Sequence, residues 1–170
     1  MRWPTYLLLG IVVLALLPAT ARADDQPWGI TVWGLSYHVN RSVDYNEDNW
    51  GLGLRHYNRP DWKWLGRDVD NRVFLEADAL RNSNRGLVIP LAAGAEYRIA
   101  PLPAGCKLFA VAALALAYYQ YPAQHRTDIK FGPVPGAAVG CGHLKGNVIA
   151  VLRKSSEPLA ALTASLTIAF

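Results

Sequence analysis

The sequence has little concentrated charge. Its 17 Lys and Arg against 13 Asp and Glu leave a net charge of +4 over 170 residues, with no block of about five or six like charges. That argues against the basic stripe of a nucleic-acid-binding protein, so no nucleic-acid partner is expected. Metal-ligand spacing is missing too: none of His38, His56, His125 and His143 pairs with another His, Cys or carboxylate in such a pattern. The only two cysteines, Cys106 and Cys141, are too far apart for a local redox pair. Gly51-Leu52-Gly53 lacks the strand–turn–helix setting of a phosphate loop. No metal or other cofactor is expected. Long apolar runs are absent as well. The stretches 6–17 (YLLLGIVVLALL) and 108–119 (LFAVAALALAYY) each reach about 12 residues, short of the roughly 20 that a spanning helix needs.

What is present begins with a targeting pattern. Arg2 gives a positive start, 6–17 an apolar stretch, Pro18 a break and Ala21-Arg22-Ala23 a small-residue cleavage site. Residues 1–23 are therefore expected to be a cleaved signal peptide, with 24–170 forming one domain in an oxidising compartment.

Pro, Gly and Asn clusters then divide the chain into apolar segments of about 9 to 12 residues. Eight strands are predicted, near 28–38, 48–58, 71–81, 87–98, 106–119, 131–141, 147–153 and 159–170. Turns are expected at Arg59-Pro60-Asp61, at 100–105 and at Gly142 to Asn147. On propensity alone the alanines of 108–116 also suit a helix. The last segment carries the strongest signal. Leu162, Ala164, Leu166, Ile168 and Phe170 alternate with Thr163, Ser165, Thr167 and Ala169, a period of two ending on an aromatic residue. Eight strands of about 11 residues leave about eight for each connection, whereas ten would leave about four. The fold class expected is all-β, an eight-stranded antiparallel transmembrane barrel of the bacterial outer membrane. A soluble sandwich is the rival for the same alternation.

The middle strands are apolar on both faces. Leu108, Ala110, Ala112, Leu114 and Leu116 share one side, and Phe109, Val111, Ala113, Ala115 and Ala117 the other. Small inward groups would leave a lumen suited to a hydrocarbon chain; a dry packed core is the alternative. Cys106 opens strand five and Cys141 closes strand six, so a hairpin centred near Ala123–Gln124 brings them opposite each other and predicts a cross-strand disulfide.

Polar residues gather at two strand-to-loop junctions. One is Ser36-Tyr37-His38 followed by Tyr45-Asn46-Glu47-Asp48-Asn49-Trp50-Gly51; the other is Arg81-Asn82-Ser83-Asn84-Arg85. Strands one and three run the same way, so both junctions fall on one rim, the outer one if the longer loops are external. A His, a Ser and amides above an apolar lumen make an acyl-transfer layout. Taken singly, they are ordinary loop residues.

Tyr45-Asn46-Glu47-x-x-Trp50-Gly51 after a strand-end histidine resembles the first external loop of PagP-type lipid A palmitoyltransferases. Arg81-Asn82-Ser83 followed by Gly94 is similar to their second loop and next strand, and 135–170, with Ala138-Val139-Gly140-Cys141-Gly142, to their last three strands. The resemblance implies an eight-stranded barrel that moves a palmitoyl chain from a glycerophospholipid to lipid A. It would make His38, Asn82 and Ser83 catalytic and put Gly94 at the floor of the acyl pocket. The chain departs from the family in carrying Asn82 for an aspartate and Asn49 for a proline, in a shorter first loop and in lacking an amphipathic helix before the barrel. Pro133 and Pro135 remain, where a missing N–H would open a lateral route for lipid.

The function expected is thus an outer-membrane acyltransferase acting as a monomer on lipid A and phospholipid. His38 would be the general base, and Ser83 either nucleophile or, with Asn82, oxyanion donor. An aspartate restored at position 82 is expected to keep or raise transfer. The alternatives are a non-catalytic adhesion or structural barrel and a lipid A deacylase.

Overall fold

A computed structural model describes residues 26–39, 45–59, 70–152 and 159–170. The expected signal peptide lies outside the described residues. The strands are β1 (Trp28–His38), β2 (Asp48–Asn58), β3 (Arg72–Arg81), β4 (Leu87–Pro101), β5 (Lys107–Tyr121), β6 (Arg126–Cys141), β7 (Leu144–Leu152) and β8 (Leu159–Ala169). They form a closed barrel in sequence order. Closure comes from β1 pairing antiparallel with β8, from Gly29↔Ala169 to His38↔Ala161.

Period-two patterning sets the two faces. In β3, Arg72, Phe74, Glu76 and Asp78 are buried while Leu75, Ala77 and Ala79 are exposed. A soluble barrel would turn such leucines inward. Here Leu75 is 62% and Phe131 71% exposed, in an outward apolar band that also holds Leu52, Leu91 and Leu114. In β1 the register shifts between Trp33 and Leu35, which keeps both Trp33 and Ser36 buried on the inner side.

The alanine-rich 108–116 lies wholly within strand β5; tertiary pairing with β4 and β6 overrides its helical propensity. The expected turn from Gly142 to Asn147 is shorter than its polarity suggested. Cys141 pairs with Leu144, leaving Gly142-His143 as a two-residue turn with Gly142 at φ 57. Lys145 and Asn147 are consequently inward-facing strand residues, both buried. β6 begins at Arg126, earlier than expected, because its pairing with β5 runs to Tyr121↔Arg126 around a tight Pro122–Gln124 turn.

The apolar lumen expected from the sequence needs correction. At the end of the barrel nearest the termini, Arg55, Arg72, Glu76, Glu96 and Lys145 form a buried ionic network. Arg55 bonds Glu76 at 2.7 Å and Glu96 at 3.0 Å, while Arg72 and Lys145 close on Glu96 from other strands. Thr31 donates to Glu76 at 2.7 Å, and Asn147 to Thr167 at 3.0 Å. Aromatic rings cap the cations, with Arg55 4.5 Å over Phe74 and Arg72 4.1 Å over Tyr57. Five charges from four strands thus plug this end. The small apolar lining survives beyond the plug, on the β4–β6 wall. There Pro90, Ala92, Ala113, Ala115 and Ala117 face inward, and a Cβ added at Gly132 would meet nothing within 4 Å.

Two features of the wall bear on access. The expected Cys106–Cys141 disulfide is present and ties the start of β5 to the end of β6. Toward the opposite rim, β6 and β7 pair only from Cys141↔Leu144 to Gly136↔Ile149. Among the described residues, 126–135 of β6 has no partner on its β7 side, and this stretch contains Pro133 and Pro135.

Candidate functional site

His38 is the last residue of β1 and only 8% exposed. Its ring stacks on Tyr45 with centroids 4.4 Å apart, and its Nδ1 lies 4.0 Å from Glu47 Oε1. Backbone bonds fix that carboxylate. Ser36 N–H donates to the Glu47 carbonyl at 2.9 Å, and His38 N–H to Glu47 Oε1 at 3.3 Å. Glu47 therefore holds the end of β1 through both its main chain and its side chain.

The second junction reaches the same place. Asn46 N–H donates to the Ser83 carbonyl at 2.9 Å. The buried Asn49 amide lies 2.7 Å from Ser36 Oγ and 3.5 Å from Ser83 Oγ. Asn49 thus stands between the two serines and links the loop after β1 to the loop after β3. This position stands where the resembled family carries proline, and nothing in the sequence marked it as a bridge.

Asn82 is buried and its amide is fully engaged in shaping its own loop. Nδ2 donates to the Gln120 carbonyl at 2.7 Å and the Leu87 carbonyl at 3.3 Å. Oδ1 accepts from Asn84 N–H and Gly86 N–H, both at 2.9 Å. The turn is tight: Arg85 adopts φ 62, and a Cβ at Gly86 would sit 2.3 Å from the Gln120 carbonyl oxygen. These bonds place Ser83 at the rim, beside Asn46 and Asn49. Of the residues singled out from the sequence, His38 and Ser83 fall in one polar cluster, and Asn82 supports the loop that carries Ser83.

Gly94 faces inward on β4, deeper in the barrel. It pairs with Phe74 and Ala113, and a Cβ there would meet Phe74 Cζ and Ala113 Cβ, each at 2.7 Å. Two residues on is Glu96, which is 0% exposed. Gly94 therefore sits where the small apolar wall gives way to the ionic plug. The plug was missed although the signal was present: a charge inside a membrane-spanning strand has to face inward, and Arg55, Glu76 and Glu96 all lie in segments predicted as strands.

No protein-family model matches the chain, and no curated protein matches it. Five chains of solved structure do match. One is described as the crystal structure of Neisserial surface protein A (NspA), at 12% identity and a TM-score of 0.45, covering 84% of this chain and 95% of that one.

Proposed function

We propose that this chain is an outer-membrane barrel that transfers a palmitoyl chain from a glycerophospholipid to lipid A. Membrane placement is supported by the closed wall, which satisfies most backbone hydrogen bonds between strands, and by the outward apolar band. The observation that carries the transferase reading is the joint placement of His38, Glu47, Asn49, Ser36 and Ser83. They meet at one rim of a lumen whose β4–β6 wall is small and apolar.

In this reading an acyl chain lies along that wall, with Gly94 and the plug beneath it limiting its length. Its ester carbonyl reaches the polar cluster. His38 takes the proton from a lipid A hydroxyl as that oxygen attacks the carbonyl carbon. Glu47 orients the ring and offsets the imidazolium charge, and Ser83 with the Asn49 amide donates to the developing oxyanion. Collapse of the intermediate breaks the donor ester. The departing lysophospholipid oxygen takes the proton back from His38, and the acyl group remains on lipid A. If Ser83 is instead the nucleophile, His38 passes the Ser83 proton to the departing lysophospholipid as an acyl-serine forms. It then takes the lipid A hydroxyl proton and returns it to Ser83 as the acyl group moves to lipid A. The stretch 126–135 of β6, which has no β7 partner among the described residues and contains Pro133 and Pro135, offers lipid a lateral way in.

Mass spectra of lipid A from cells with and without the gene test this directly. A gain of one palmitoyl mass is expected. Loss of an acyl chain would mean a deacylase, and an unchanged spectrum a non-catalytic barrel.

A further inference from the structure

A second recess lies on the outside of the barrel, away from the rim cluster. It is a trough of about 710 Å³, within the roughly 300–1,000 Å³ typical of small-molecule sites. Cross-strand register gives its course. His56, Leu75, Ala93, Leu114 and Pro133 form one row across β2 to β6, and Asn58, Val73, Ala95 and Ala112 form the row beside it. The floor is low because Ala93, Ala95 and Ala112 stand between Leu75 and Leu114. Five strands at about 4.8 Å spacing make the trough about 19 Å long, the scale of a long fatty acyl chain.

We infer that this trough binds one glycerophospholipid from the leaflet at the termini end, its acyl chain across Ala93, Ala95 and Ala112 and its headgroup at His56 and Asn58. Asn58 ends β2 at the rim that carries the termini, whereas Pro133 is midway along β6. With strands tilted about 35–45°, the trough slopes from a polar rim toward the membrane midplane. That is the path of a lipid, with its headgroup at the surface and its tail inward. His56 and Asn58 supply hydrogen-bonding groups at the rim end, and the far end is apolar. A second copy of the chain fits poorly, because a two-fold contact would set trough against trough and fill neither. The inference rests on the membrane placement proposed above and not on acyl transfer.

The test is native mass spectrometry of the delipidated mature protein in detergent, titrated with 1-palmitoyl-2-oleoyl-phosphatidylethanolamine. One lipid per chain is expected. Ala93→Leu and Ala112→Leu should each weaken retention about tenfold, the loss from displacing roughly two methylenes. Ala79→Leu, outward on β3 but outside the trough, should retain lipid as wild type does. Heat-modifiable migration on gels confirms folding of each variant. The inference is overturned if wild type retains no lipid, if all three variants retain it equally, or if free palmitate binds as tightly as the phospholipid. A dimer that the alanine-to-leucine variants split would overturn it in favour of a second copy. Retention is measured without turnover, so its failure is separable from failure of the transferase reading, which the lipid A spectrum decides.

Discussion

Glu96 and His38 are both buried polar groups in the same lumen, yet they are held in different ways. Glu96 is 0% exposed and ringed by Arg55, Arg72 and Lys145, each from a different wall strand. Moving any of them means moving the barrel. His38 is held by Tyr45 and Glu47 from the loop after β1, with Glu47 Oε1 4.0 Å from its Nδ1. At the plug every charged side chain lies against one of opposite sign, which makes it structure, since a buried charge is tolerated only when paired. At the rim the imidazole is held by loop residues, and in the proposed reaction a loop can shift with the substrate where a wall strand cannot. The two ends should therefore separate stability from activity.

The largest effect expected is at the plug. Glu96→Ala leaves Arg55, Arg72 and Lys145 with only the Glu76 carboxylate, on Arg55, to offset them and should cost about 3–5 kcal/mol, read as a lower urea midpoint for unfolding from lipid vesicles. A wild-type midpoint would mean the plug is filled by water, and the contrast would fail. At the rim, His38→Ala should lower transfer about 10²- to 10⁴-fold and Ser83→Ala about 10²- to 10³-fold, measured as palmitate moved onto lipid A. Both should lower the unfolding free energy by no more than about 1–2 kcal/mol, well below the plug variant. Equal loss of folding and transfer in these variants would erase the distinction between the two ends.

Two further changes probe the plug end and the boundary between the zones. Replacing both Cys106 and Cys141 with serine opens a sequence separation of 35 and should cost about 3–4 kcal/mol in the chain-entropy model, with the transfer rate of folded protein unchanged. Gly94→Ala should cost about 1–3 kcal/mol, because its new methyl meets packed atoms. It should also shorten the preferred acyl chain. Unaltered chain selection, read by mass spectra of lipid A, would place the acyl group elsewhere.

How much of this was legible follows from how local each signal is. The alternation from Leu162 to Phe170 lies within one strand, and β8 forms where it was expected. Strand parity alone put the His38 and Ser83 junctions on one rim. The plug was harder to see. Arg55 and Glu96 are 41 positions apart and Glu96 and Lys145 are 49 apart, so only barrel closure joins them. Lys145 and Asn147 were further hidden by a polar stretch that reads as a loop, until the two-residue turn at Gly142-His143 pulls them into β7. Asn49 was visible as a loop amide, but its bridging role depends on register between β2 and β3 that residue types do not encode.

Asn82 gives the sharpest test of the rim. Resemblance to the palmitoyltransferases makes aspartate the usual residue there and leads to the expectation that Asn82→Asp keeps or raises transfer. The hydrogen bonds point the other way. The amide donates to the Gln120 and Leu87 carbonyls, and an ionised carboxylate can donate to neither. It would instead face two carbonyl oxygens while still accepting from Asn84 and Gly86 N–H. Losing the two donated bonds should cost about 1–3 kcal/mol. Transfer should fall as the loop carrying Ser83 loosens, and part of the lost stability should return at acidic pH, where a protonated carboxyl regains one donor. Asn82→Ala loses the acceptor as well, so it should be at least as damaging at neutral pH and show no recovery in acid. A variant Asn82→Asp that unfolds at the wild-type midpoint and transfers palmitate faster would assign the position to chemistry, and the rim would then hold a catalytic carboxylate site in place of a turn-forming amide.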